Sequence, residues 1–268
     1  MGYWSVMPKI SINGVAINYE VTGKGDPLLL IHGLGSNAQD WDLQISFFSE
    51  NYTVIAIDLR GHGLSDKPKG PYTIRQFADD CNQLLTELNI DRAHILGLSL
   101  GCAVGYELAI HYPELIHSFI GVNMGPSVGS KSLKGTLTAI KRLLIVLFLG
   151  MRVMGKSIAK AVFPFPHQAN LRQLLIESIA KNDKRSYINS MLALKGWSVV
   201  DELPSIQCPT LIIASEFDYS SIESKQIAVD IIPNAELCVV DGARHVLPVE
   251  KPNLFNEIVL TFLKRHRI

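Results

Sequence analysis

The chain has 268 residues, 47% hydrophobic and 19% charged, a balance too apolar for disorder and a length that buries a substantial core in one α/β domain with an insertion. Lys plus Arg and Asp plus Glu each total 25, so no basic excess exists to neutralise a phosphate backbone and nucleic acid is excluded as the expected partner. Cys81, Cys102, Cys208 and Cys238 lack the close spacing with which a short loop wraps zinc; they read as reduced thiols, with no metal expected.

Met1 to Ile10 has no charged start leading into a long apolar run, so no secretory signal is read there and a cytoplasmic location is expected. Ile10 to Glu20 alternates around Asn13-Gly14, a two-residue hairpin signal, and predicts an antiparallel edge. Short apolar runs then predict strands at Pro27 to Ile31, Val54 to Ile57, His94 to Leu98, Phe119 to Val122, Thr210 to Ala214 and Leu237 to Val240. Both faces of each are expected to be buried. Helical spacing of apolar residues marks Ala38 to Phe48, Thr73 to Leu88, Leu100 to His111, Ser221 to Ile231 and Asn253 to Arg265. This alternation of strand and helix predicts a parallel sheet with crossover helices.

The rhythm breaks between Gly125 and Leu203, where helical patterns and loops carry no convincing buried strand. Residues 125–203 are therefore expected to form a helical cap inserted into a core made of residues 1–124 and 204–268. The run Leu143 to Leu149 is the most apolar stretch, yet far short of the roughly 20 residues that span a bilayer. Packing onto the main domain, contact with a membrane surface and contact with a second subunit all stay open for it.

The sharpest chemical signal is Gly97-Leu98-Ser99-Leu100-Gly101, which falls where a predicted strand ends and a predicted helix begins. Such a turn strains the residue at its apex, and small neighbours two positions away on each side relieve the crowding. Ser99 is thus the candidate nucleophile, and the Leu100 N–H a candidate oxyanion donor. His32-Gly33-Leu34-Gly35 follows the strand ending at Ile31, and carboxyl ends of strands are where open α/β sheets place their sites. The Leu34 N–H is the second candidate donor, with His32, Gly33 and Gly35 supporting the loop; the Lys and Ser/Thr of a phosphate loop are missing. Of eight histidines, His245 lies on a loop directly after the last strand and is the candidate base, with His62 its weaker rival. Asp218 follows the strand Thr210 to Ala214 and is the carboxylate expected to accept the Nδ1 proton, with Glu216 and Asp241 as rivals.

The His32-Gly33 loop, the segment Asp58 to Asp66, the Ser99 elbow, Asp218 and the segment Gly242 to His245 resemble the α/β-hydrolase family, nearly end to end apart from the insertion, which corresponds to its variable cap. The resemblance implies an eight-stranded, mostly parallel sheet and a cofactor-free acyl-enzyme mechanism. Cys102, where many relatives have Gly, departs from the pattern. Ser at the elbow argues against dehalogenase or epoxide-hydrolase chemistry, for which the resemblance would call for Asp. Cleavage of a small hydrophobic ester, by a monomer or homodimer, is the expectation; lactonase, thioesterase, carbon-carbon bond hydrolase, haloperoxidase or perhydrolase, and a non-catalytic receptor on the same fold remain as alternatives.

Overall fold

The computed structural model describes residues 8–129 and 133–268; most of the N-terminal stretch read for a leader lies outside them. Strands β1 (Lys9–Ile12) and β2 (Val15–Thr22) pair antiparallel across a turn in which Asn13 and Gly14 both take positive φ, 51° and 74°. Two successive left-handed residues give a turn whose twist matches the strands it joins, hence the Asn-Gly pair. The remaining strands are β3 (Asp26–Ile31), β4 (Tyr52–Ile57), β5 (Ala93–Leu98), β6 (Ile116–Val122), β7 (Thr210–Ser215) and β8 (Ala235–Val240). They form one sheet of eight in the order β1-β2-β4-β3-β5-β6-β7-β8, parallel from β4 to β8.

Alternation along the strands splits the core into two layers. Leu29, Ile31, Ile55 and Ile57 face one cluster, where they meet Phe77, Leu84 and Leu85 of helix α2 (Ile74–Glu87) and Tyr106 and Leu108 of helix α3 (Leu100–His111). Leu28, Leu30, Val54 and Ala56 face the other, against Phe48 of helix α1 (Asp42–Phe48) and, far along the chain, Phe255 and Phe262. The expectation of two buried faces fails at β8, which lies at the sheet's edge and is only half buried, with Val239 exposed. An edge strand has a neighbour on one side only, and its outer flank lacks a covering layer.

After β6 the chain leaves the sheet, and the two limbs of this excursion meet at Ser127 and Ser198, held by Val128 N–H to the Trp197 carbonyl at 2.7 Å and Val199 N–H to the Pro126 carbonyl at 2.9 Å. Between them lie helices α4 (Leu133–Leu144), α5 (Met151–Val162), α6 (Ala169–Ala180) and α7 (Lys184–Ala193). A π-helical turn, Ile145–Leu149, joins α4 to α5 and ends at Gly150, whose φ of 81° few other residues adopt. Within the run Leu143 to Leu149 only Val146 is fully buried; Leu144, Leu147, Phe148 and Leu149 are exposed. The run therefore does not serve chiefly to pack onto the main domain. Helices α8 (Ile222–Ile231), α9 (Leu247–Glu250) and α10 (Pro252–Arg265) complete the fold. Among the described residues no helix is long and apolar enough to cross a membrane.

Candidate active site

The sheet order reverses between β3 and β5, since the chain passes from β3 outward to β4 and then back across to β5. That reversal opens a crevice at the carboxyl ends of the two strands. Ser99 sits on it, between β5 and α3, with φ 55° and ψ −111°. This conformation is strained for a residue with a side chain, and the local packing enforces it. A Cβ on Gly97 would lie 2.2 Å from the Gly101 carbonyl oxygen, and one on Gly101 would lie 2.0 Å from that of Ile31. Ser99 N–H donates to the Val122 carbonyl at 2.9 Å, tying the elbow to the tip of β6. Cys102, the departure from the family pattern, is fully buried in the core, its thiol directed at the Met124 carbonyl at 3.7 Å.

The His32 to Gly35 loop follows β3 across the crevice. Leu59 N–H donates to His32 Nε2 at 3.1 Å, so the ring carries its proton on Nδ1, which donates to the Gly33 carbonyl at 2.8 Å. Burial lowers the His32 pKa to about 4, and the imidazole stays neutral. Gly35, at φ 75°, approaches the Tyr187 ring so closely that a Cβ would lie 2.8 Å from it. Neither the Leu34 nor the Leu100 N–H donates to a backbone carbonyl among the described residues, and Leu34 lines the same cavity as Ser99. Asp58 braces this wall from behind, accepting from Ala38 N–H at 2.7 Å, Asn18 Nδ2 at 2.9 Å and Leu64 N–H at 2.8 Å. His62 is sealed beneath His32, with ring centroids 4.9 Å apart and its pKa lowered to about 3 by burial; it does not line the cavity.

His245 and Asp218 come together from two further strand ends. His245 Nδ1 donates to Asp218 Oδ1 at 2.5 Å, which leaves Nε2 as the basic atom of a neutral ring. The Asp218 side chain is wholly buried. Burial alone would raise its pKa, but the hydrogen bonds and charges of His245 and Lys225 outweigh that and hold it well below the usual carboxylate range. The rivals stand apart: Glu216 accepts from the Gly242 N–H at 2.7 Å, Asp241 is exposed, and among the described residues neither hydrogen-bonds to His245. No hydrogen bond joins Ser99 Oγ to His245 among the described residues. Both side chains border one cavity of about 490 Å³, and such contacts commonly tighten only when substrate is bound.

Two residues that the sequence reading passed over organise this constellation. Lys225, on α8 and fully buried, donates to Asp218 Oδ2 at 2.7 Å and to the carbonyl and hydroxyl of Ser220, both at 2.9 Å. Asn123, the residue after β6, holds φ 54° and binds in four directions. Its Oδ1 accepts from Ser215 N–H at 2.8 Å, while its Nδ2 donates to Ser215 Oγ at 2.9 Å and to the Arg244 and His245 carbonyls at 3.3 and 2.9 Å. It pins the loop bearing His245 to the end of β7. The only signals were an Asn at a strand's carboxyl end and a Lys three residues before Ala228 on the buried face of α8.

The excursion after β6 roofs the cavity. Ile158 of α5, Leu171 and Leu175 of α6 and Tyr187 of α7 supply an apolar ceiling, and Arg142 of α4 enters it from above. On the floor side, the Tyr219 ring lies 4.3 Å from that of His245.

Comparison with known proteins meets this geometry. A family profile described as the alpha/beta hydrolase fold matches residues 26–142. The chain is 30% identical to 3-oxoadipate enol-lactonase 2 of Acinetobacter baylyi, over 96% of either sequence. It belongs to the α/β-hydrolase family. Among solved α/β-hydrolase structures, the enol-lactonase from Burkholderia xenovorans LB400 superposes with a TM-score of 0.89 at 25% identity, covering 96% of this chain and 100% of that one. A hydrolase from Pseudomonas aeruginosa PA01 gives a TM-score of 0.89 at 27% identity, over 97% and 99%. The eight-stranded, mostly parallel sheet flanked by helices is the fold that these α/β-hydrolases share.

Proposed function

We propose that the chain is a serine hydrolase that opens a small carboxylic ester, linear or cyclic, through an acyl-enzyme on Ser99, with residues 125–203 acting as the cap that shapes the substrate site. The observation that carries this reading is the 2.5 Å bond from His245 Nδ1 to a buried, ionised Asp218, on the rim of the cavity that also receives the strained Ser99. His245 Nε2 takes the Ser99 hydroxyl proton as Oγ attacks the ester carbonyl, and Asp218 stabilises the imidazolium so formed. The Leu34 and Leu100 N–H groups, without backbone partners among the described residues, stabilise the oxyanion. Collapse of the tetrahedral intermediate expels the alkoxide, which takes the proton from His245, and water activated by the same histidine then frees the acid. In a lactone the alkoxide stays tethered, and the product is a hydroxy acid or, where the leaving oxygen is an enolate, a keto acid.

The relatives named enol-lactonase favour including cyclic esters in the class. The lining supports a small substrate, since about 490 Å³ under an apolar ceiling accommodates a short acyl chain or ring. A fluorophosphonate probe and a panel of short esters and lactones test the proposal together. Ser99 is expected to be labelled, and Ser99→Ala to lose at least about a thousandfold in kcat. A folded wild-type protein that neither takes the probe nor exceeds the Ser99→Ala rate would favour a receptor on the same fold instead.

A further inference from the structure

Two cations line the cavity: Lys181, exposed at the rim, and Arg142, half-buried in the roof. Among the described residues Arg142 donates no hydrogen bond and pairs with no carboxylate; its one close contact is the Tyr219 ring, 5.4 Å from the guanidinium carbon. Tyr219 and the neighbouring Tyr187 are phenols, neutral at pH 7, so neither cancels its charge. The roof's other arginine, Arg172, is consumed by structure, donating to the Phe163 and Phe165 carbonyls at 2.8 and 2.6 Å. The acidic groups of the lining are engaged or peripheral. Asp40 is tied to Ser36 and Ser178, with its pKa raised by burial, while Glu177 accepts from Gln173 and, like Asp42, lies exposed at the rim.

The charge pattern of the first part of the excursion points the same way. Between Glu114 and Glu177 the sequence holds eight Lys and Arg residues, Lys131, Lys134, Lys141, Arg142, Arg152, Lys156, Lys160 and Arg172, and no Asp or Glu, in a chain whose net charge is zero. A segment biased to one sign attracts anions toward the opening it borders. A planar guanidinium is the group that binds a carboxylate through two parallel hydrogen bonds.

We propose that Arg142 is the anion-recognition residue of this site, and that the substrate is an ester carrying a second, free carboxylate on its acyl side, as in a half-ester of a dicarboxylic acid or a lactone with a carboxylate arm. The inference rests on the ester-hydrolase reading for the identity of the reacting group, but not for the binding it describes. Geometry fits the assignment: Tyr219 neighbours both the guanidinium and the His245 ring, its own ring lying 5.4 Å from the guanidinium carbon and 4.3 Å from the imidazole. A short dicarboxylic chain passing over that tyrosine joins the two ends. Tyr219 then acts as the spacer between the guanidinium and the imidazole.

The test uses the full chain in the Ser99→Ala background, so that binding is read without turnover. Monoethyl adipate and diethyl adipate are titrated by calorimetry, and the pair is repeated with Arg142→Gln and Arg142→Lys. The half-ester is expected to bind more tightly than the diester, and Arg142→Gln to cut that preference by about tenfold or more, the range for a charge-assisted hydrogen bond lost at one site. Arg142→Lys should restore it in part, because the charge returns without the fork. Added salt should weaken the half-ester and not the diester. An Arg142 that merely stacks on Tyr219 would leave the ratio between the two ligands unmoved in both variants, and that result overturns the proposal. Turnover of the same pair by the Ser99 enzyme is scored separately: diester hydrolysis with no half-ester preference sinks this inference and leaves the hydrolase reading standing, whereas half-ester binding without turnover does the reverse.

Discussion

Lys225 does not line the cavity, yet it fixes the charge state of Asp218, the residue behind the proposed base. A lysine buried without a partner would lose its proton; here Asp218 faces it at 2.7 Å, with Ser220 filling two of its other hydrogen-bond directions. The pair holds Asp218 ionised and turns Oδ1 toward His245. Replacing Lys225 with Met leaves a buried carboxylate short of one partner, which costs about 3 to 5 kcal/mol of stability. The rate on one ester should also fall, because Asp218 loses the partner that turns Oδ1 toward His245. Urea unfolding and steady-state kinetics measure both effects; a stability loss with an unchanged kcat would make Lys225 a packing residue only.

At the scale of elements, the site is assembled by strand tips. The β3, β5, β6, β7 and β8 ends each deliver one part, and Asn123 at the end of β6 locks two of the others together. Asn123→Gly keeps the positive φ accessible while deleting the side chain. The His245 loop then loses its anchor to β7, and kcat should fall about 10- to 100-fold with little change in KM, since the loss is of orientation and not of substrate contacts. Steady-state kinetics on one ester read the split, and a change confined to KM would contradict the assigned role.

The candidates Ser99, Asp218 and His245 stand out in the sequence because each sits beside a short apolar strand with a local signature: a glycine-flanked serine, an acidic tetrad after TLIIA, a histidine after LCVV and a glycine turn. Asn123 and Lys225 carry no such mark. An Asn after a strand reads as a turn, and a Lys in a helix reads as a solvated face; only the packing of α8 under the Asp218 loop buries one and the register of β6 against β7 aims the other. The roof was legible as helical but not in its orientation. Which residues of Leu143 to Leu149 face water depends on the π-helical turn, an irregularity that a 3.6-residue period does not anticipate.

Across the whole molecule, three imidazoles are locked in the neutral form. His32, His62 and His94 have pKa values lowered by burial to about 4, 3 and 4, against about 6.5 in an unfolded chain. The sign follows from which state binds protons first. Above pH 6.5 both states are neutral and the full stability is present; as pH falls toward 4 the unfolded chain takes up protons that the folded one refuses, and stability is lost. Each histidine removes about 1.4 kcal/mol per pH unit in that window, so the three together give a slope of about 4 kcal/mol per pH unit near pH 5. The Asp218 carboxylate acts in the same direction at lower pH, its contribution present above the unfolded carboxylate range and lost below it. Urea midpoints at pH 7.5, 6 and 5 should fall steadily, and His62→Gln should flatten the slope by about a third; a flat profile over this range would falsify the buried-neutral assignment.

The Lys225–Asp218 pair also bears on how charge moves through a catalytic cycle. With the ammonium present, the resting constellation of lysine, carboxylate, neutral imidazole and hydroxyl sums to zero, and in the tetrahedral intermediate the imidazolium and oxyanion cancel. Under the proposed chemistry the interior then exchanges one internal dipole for another and never has to import or export an ion. Turnover of an uncharged ester should accordingly be indifferent to ionic strength, leaving any salt dependence to report on the arginine in the roof.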